Sequence, residues 1–203
     1  MARKEQKIVV QEGDALSVTD MQLDFLPGGA LAVPGGDRLI PVMNRVVELF
    51  HSRKRPVFFT RDWHPRDHVS FKERGGQWPP HCVENTPGAA FHPNLKIPEG
   101  AVILSKADRR DVEEYSTLYA RDAEGNTEKE LLEKSGTRRL FVGGLATDYC
   151  VLNTVIEACR AGIDTYVLTD AVSAVDVNPG DGEKALEKMR KIGAKLITTG
   201  DLI

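Results

Sequence analysis

Six short runs of apolar and β-branched residues recur along the chain: 15–19 (ALSVT), 56–60 (PVFFT), 101–105 (AVILS), 139–143 (RLFVG), 165–169 (TYVLT) and 195–199 (KLITT). Each is nearly continuous in apolar character rather than alternating, the pattern of strands buried on both faces. Between them the period lengthens. Residues 37–53 set Leu39, Val42, Met43, Val46, Val47 and Phe50 on one stripe, which predicts an amphipathic helix. Shorter helices are predicted over 128–135, stopped by Gly136, and over 148–161 and 182–192, capped by Gly162 and Gly193. Strand and helix in alternation predict an α/β, doubly wound domain with a six-stranded, mostly parallel sheet, because parallel neighbours need crossover connections. At 203 residues, with no Pro/Gly/Ser-rich linker, the whole of 1–203 reads as a single domain.

Composition narrows the function classes. The chain is 41% hydrophobic and 28% charged, as in ordinary soluble globular proteins, and its net charge is −3. No basic stripe suited to nucleic acid appears; Arg53-Lys54-Arg55 and Arg138-Arg139 each precede a predicted strand and read as solvated rim. No apolar run is long enough to span a bilayer, and the charged start (residues 1–7) has no secretory pattern behind it. Three scattered cysteines, Cys82, Cys150 and Cys159, form no disulfide framework and fit a reducing, cytoplasmic setting. The glycine pairs 28–29 and 35–36 lack a strand–GxGxxG–helix context and read as turns.

Candidate chemistry gathers where strands end. In open α/β sheets, ligands bind outside the carboxyl ends of the strands, and parallel strands put those ends on one edge. Asp20 follows the first run, Asp62 the second, Lys106 the third, and Cys150 comes after the fourth at a predicted helix start. With Thr147 or Asp148 as N-cap, Cys150 falls in the first turn. Unpaired N–H groups there lower a thiol pKa and can hold an oxyanion. The alternative reading is a small buried residue packing the helix start. Cys159 reads as core.

The long non-periodic stretch 64–98 carries a second constellation. Asp62, His64, His68 and His81 give a D-x-H-x₃-H spacing plus a further imidazole, a donor set suited to one divalent ion: zinc, manganese or iron. The alternative is three loop histidines with no shared partner. Cys82, adjacent to His81, reads as structural, and His51 and His92 as surface residues. Phe25 and Trp78 are candidates to enclose a flat ligand, Trp63 less so.

The segments TDMQLDFLPGGALAVPGGD, TRDWHPRDHVSF, WPPHCVENTPGAAFHP, ILSKAD and GLATDYCV together resemble nicotinamidases, a branch of the isochorismatase-like cysteine hydrolases. The resemblance covers nearly the whole chain in consistent order. It implies a six-stranded parallel sheet with helices on both faces, and a homo-oligomer. It also implies a catalytic set of Asp20, Lys106 and Cys150, and metal ligation by Asp62, His64, His68 and His81. Leu145-Ala146 falls where the family has a non-proline cis peptide, with the Ala146 and Cys150 N–H groups as oxyanion hole. Phe25 and Trp78, with Leu145 and Ala146, fall at the substrate-binding positions. The implied reaction is hydrolysis of nicotinamide to nicotinate and ammonia through a thioester, in NAD salvage, with one divalent ion per chain. Related members act on other small amides or on carbamoyl substrates. Three departures stand out. Leu23 replaces a usual polar residue, Thr117-Leu118 replaces a usual Gly-Phe, and the segment 119–127 is longer than typical.

Overall fold

The computed structural model describes residues 7–203; most of the charged start, read above as carrying no leader, lies outside the described residues. Six strands form one sheet: β1 Asp14–Thr19, β2 Val57–Asp62, β3 Val102–Lys106, β4 Arg139–Leu145, β5 Asp164–Ser173 and β6 Lys195–Ile197. Every pairing is parallel, in the order β3-β2-β1-β4-β5-β6. The expected strands are all present. Four run further at their carboxyl ends than the apolar runs suggest, so Asp62 and Lys106 are the last residues of β2 and β3 rather than residues beyond them.

Continuous apolar runs arise because each strand feeds two cores. Leu16, Val18, Phe59, Phe141, Tyr166 and Leu168 face one side, packed with Ile40, Met43, Val47 and Phe50 of α1 (Leu39–Ser52). Their neighbours Ala15, Phe58, Leu140, Val142 and Val167 face the other. There they meet Leu132 of α2 (Glu128–Lys134), Val155 and Ala158 of α3 (Leu152–Arg160), and Ala185 and Met189 of α4 (Asp181–Lys191). The stripe expected on the first helix is buried except for Val42, which is half-buried, and residues 36–38 form a separate 3₁₀ turn before it. Phe50 meets Phe141 edge-on at 5.3 Å between centroids, worth about 0.5–1.5 kcal/mol beyond the area buried. Cys159, read as core, is half-buried at the edge of the second cluster. Among the described residues no helix is long and apolar enough to cross a membrane.

Two features position the site. The chain leaves β1 toward β2 on one side and leaves β4 toward β5 on the other, so a crevice opens at the β1/β4 switch point. At the same place Gly144 lets the two backbones close in. Its φ is +115°, and a Cβ there would lie 2.1 Å from the Thr19 carbonyl oxygen. The segment 119–127 covers the outer edge of β3: Ser105 and Arg121 exchange two main-chain hydrogen bonds of 2.8 Å, which blocks an edge open to further pairing.

Candidate active site

The four strand ends deliver their side chains to one buried point. Lys106 Nζ, at the end of β3, lies 2.9 Å from Asp20 Oδ2 and 3.3 Å from Cys150 Sγ, and also pairs with Asp62 Oδ1. Asp20 is completely buried, Lys106 is 1% exposed, and Asp62 and Cys150 are each 5% exposed. Asp20 sits at φ +50°, a left-handed turn that aspartate tolerates. Its second oxygen accepts from Thr60 Oγ1 at 2.9 Å. One cation thus serves two carboxylates and a thiol in a closed place.

The protonation states follow from that shortage. Burial would raise the Asp62 carboxyl, but Lys106 and His64 outweigh it and hold it far below the usual carboxylate range. For Asp20 burial wins over Lys106, and the neighbouring Asp62 charge adds to it, so its pKa is raised. Burial alone would lower Lys106, yet the two carboxylates keep it firmly charged. The expectation of a lowered thiol pKa is overturned. Burial, with Asp20 and Asp62 nearby, lifts the Cys150 thiol well above its ordinary value despite Lys106. At rest the sulfur keeps its proton beside a carboxylate made more basic than usual.

Cys150 reaches this point through an unusual turn. After β4 the Leu145–Ala146 peptide is cis, as the resemblance implies. A wide π-type turn, Thr147–Val151, then leads into α3. The N–H groups of Tyr149 and Val151 both donate to the Ala146 carbonyl, at 3.1 Å each. The expected cap by Thr147 or Asp148 is not formed; Ala146 holds the N-cap position. Asp148 instead accepts from the Val175 and Asp176 N–H groups, at 3.0 and 2.9 Å, and ties the turn to the loop after β5.

Beside this set, one ligand atom each from Asp62, His64 and His81 falls within 4.8 Å of the others, all three residues buried. His64 Nδ1 lies 3.2 Å from the Ala107 carbonyl and His81 Nδ1 lies 2.8 Å from the Pro79 carbonyl. A carbonyl only accepts, so Nδ1 carries the proton in both rings and the Nε2 lone pairs stay free. His64 Nε2 is buried with no hydrogen-bond partner among the described residues. Burial and the His64 neighbour lower His81 to about 4, keeping it neutral. Two imidazoles that present Nε2 and an ionised carboxylate form a donor set that fits a divalent cation.

The structure sets His68, expected among the ligands, apart from this group. Its ring lies 4.4 Å from that of His64. Its Nε2 faces the Val112 carbonyl at 3.0 Å and its Nδ1 accepts from the Ser70 N–H at 3.3 Å, so both nitrogens are engaged elsewhere. A second close group, Asp20, Asp62 and Cys150, surrounds the Lys106 ammonium, which supplies the cation there.

A pocket opens above the sulfur. Phe25 and Trp78 line it as expected, with Leu31, Tyr115, Tyr149 and Val175, and Asp62, His81, Ala146 and Cys150 reach it as well. Trp78 meets Tyr149 edge-on at 4.8 Å, and its indole N–H donates to the Tyr115 hydroxyl at 3.1 Å. Leu145, expected at the substrate, is not part of this wall; its side chain packs in the α1-side core. Trp63 lies outside, under the Arg61 guanidinium at 3.7 Å.

Residues 14–201 match the isochorismatase domain. The chain belongs to the isochorismatase family. Among its relatives, a nicotinamidase of Escherichia coli (strain K12) is 36% identical over 92% of this chain and 95% of its own length. A pyrazinamidase of Pyrococcus horikoshii solved in complex with zinc superposes with a TM-score of 0.83, at 46% identity over 92% of this chain and 99% of that one. A protein from L. infantum, solved in complex with nicotinate, gives 0.86 at 32% identity over 97% and 99%.

Two of the departures from the family pattern fall outside the pocket wall. Leu23 is half-buried in a 3₁₀ turn and donates its N–H to the Ala90 carbonyl. Thr117 and Leu118 are buried beneath the site. The sequence reading missed residues that hold this family member's site together. Gln22 brackets the main chain of Asp62, accepting its N–H and donating to its carbonyl, both at 2.8 Å. Asp24 accepts the Cys82 N–H at 2.7 Å and so anchors the loop that carries His81. Both lie in the TDMQLDF segment, within four residues of Asp20. Tyr149 stands beside Cys150 in sequence, the one signal that pointed to it.

Proposed function

We propose that the protein is a cysteine amidohydrolase converting nicotinamide to nicotinate and ammonia through a thioester on Cys150. The observation that carries this reading is the buried Lys106 ammonium, within 2.9 Å of the Asp20 carboxylate and 3.3 Å of the Cys150 sulfur, beneath an aromatic-walled pocket. The activities of the relatives support the choice of substrate.

Asp20 takes the thiol proton, and Lys106 stabilises the thiolate as it forms. Sγ attacks the carboxamide carbon, and the oxyanion settles on the N–H groups of Ala146 and Cys150. Protonated Asp20 gives its proton to the nitrogen, the C–N bond breaks, and ammonia leaves. The same carboxylate then deprotonates a water that attacks the thioester. The C–S bond breaks, the sulfur regains its proton, and nicotinate departs. Phe25, Trp78 and Tyr149 hold the ring so that its carboxamide faces the sulfur. Asp62, His64 and His81, with His68 beside them as the resemblance implies, would hold a divalent ion, zinc, manganese or iron, supplying a Lewis-acid contact that orients the ring nitrogen. On this reading the reaction belongs to NAD salvage in a reducing cytoplasm, a setting that fits three free cysteines.

The purified protein is expected to release ammonia from nicotinamide, to lose most of that activity on chelation, and to regain it with a divalent ion. No release from the metal-loaded protein would refute nicotinamide as substrate and point to another small amide or a carbamoyl compound. Full activity after verified metal removal would refute the orienting role of the ion.

A further inference from the structure

A carboxyl group with no part in the steps above lies underneath them. Glu128, the first residue of α2, is completely buried, and among the described residues neither of its side-chain oxygens has a hydrogen-bond partner of good geometry. The polar groups beside it are the hydroxyls of Ser17 on β1 and Thr117, which lie 3.5 Å from each other. The charged group it faces is Asp20, of like sign. An ionised carboxylate in such a place is costly, because it is fully enclosed and no cation among the described residues opposes it. Burial accordingly pushes Glu128 up to about 7.

A short hydrogen-bonded path runs from Thr117, beside this acid, to the main chain of the nucleophile. The Thr117 N–H donates to Thr154 Oγ1 at 2.9 Å, and that hydroxyl donates to the Cys150 carbonyl at 2.7 Å. Ser17, Thr117 and Thr154 are all completely buried. Residue 117 therefore sits between Glu128 on one side and the main chain of the Cys150 turn on the other. We propose that Glu128 is a positioning residue for Cys150: as a neutral acid it leaves Thr117 and Thr154 free to fix the nucleophile's turn, and as an anion it disturbs that arrangement. An anionic Glu128 draws the Ser17 and Thr117 hydroxyls toward itself and shifts the segment whose N–H orients Thr154. It also adds a second negative charge on the Asp20 side of the thiol.

The inference rests on Cys150 being the nucleophile, and its test separates that reading from its own. In the metal-loaded full chain, Glu128→Gln is compared with the wild type from about pH 6 to about pH 8.5. Two rates are followed: kcat for nicotinamide, and alkylation of Cys150 by iodoacetamide resolved at the peptide level by mass spectrometry. Whatever the variant-to-wild-type ratio is at the acid end, it is expected to rise about threefold or more across that range in both measurements, with KM unmoved. A ratio that stays flat with pH would overturn the proposal, since a purely structural role for Glu128 scales the rates equally at every pH. Absence of turnover would count against the substrate, while the alkylation profile still decides the role of Glu128. Should Glu128→Gln fail to fold, Thr117→Val removes a hydroxyl beside the acid and is expected to move the wild-type break in the alkylation profile to higher pH. An unmoved break would overturn the proposal.

Discussion

Lys106→Met is expected to destabilise the fold by about 3–5 kcal/mol and to abolish turnover. The lysine is fully enclosed between Asp20 and Asp62, and among the described residues nothing else of positive charge pairs with the Asp20 carboxylate. Removing it strands two buried anions, and the cost is their desolvation rather than the loss of a contact. The pH dependence distinguishes this cause from a packing defect. Without the ammonium, one of the two carboxyls must hold a proton in the folded state, so its folded pKa rises above its unfolded value. Such a group contributes stability below the unfolded pKa, and that contribution is lost as pH rises through the folded pKa. The variant's deficit is therefore expected to be smaller in mild acid than at alkaline pH. Denaturant midpoints at two pH values, with unchanged slopes, measure it. A deficit equal at both would show that the cation is not what balances the pair.

Cys150→Ala is expected to cost at least ~10⁴-fold in turnover, because the attacking atom itself is gone. Stability should change by only about 1 kcal/mol, since the turn is held by main-chain bonds to Ala146 and by Thr154 rather than by the sulfur. Metal content per chain should be unaffected. Asp62, His64 and His81 form their group without the sulfur, and two of them are oriented by backbone carbonyls remote from Cys150. Loss of turnover with retained metal separates thiol attack from a route in which bound water attacks directly. Retained turnover would refute the covalent scheme.

The strands and the convergence of Asp20, Asp62, Lys106 and Cys150 were legible in the sequence for a geometric reason. A strand buried on both faces writes a continuous apolar run, and parallel strands put their carboxyl ends on one edge. What stayed hidden depends on partners remote in the chain. His68 shares the spacing of the other histidines, but Val112, 44 residues away, takes its Nε2. Asp148 looks like a helix cap until Val175 and Asp176 claim its carboxylate. The helix-start argument for an acidic Cys150 thiol was sound locally and lost to burial, which no local pattern reports. Glu128 opens a run, EKELLEK, whose composition suggests a solvated helix end, yet its first residue faces the core. Pocket residues such as Leu31 and Val175 carry no chemistry of their own and become visible only once the loops close around Cys150.

The central claim is that the amide carbon becomes bonded to Cys150. Rapid acid quenching of the metal-loaded enzyme during turnover of nicotinamide, followed by mass analysis of its peptides, tests this most directly. A nicotinoyl thioester on the Cys150 peptide, appearing early in the reaction and gone once the substrate is consumed, is the predicted result. An enzyme that turns over nicotinamide while its Cys150 peptide is unmodified at every quench time would contradict the account.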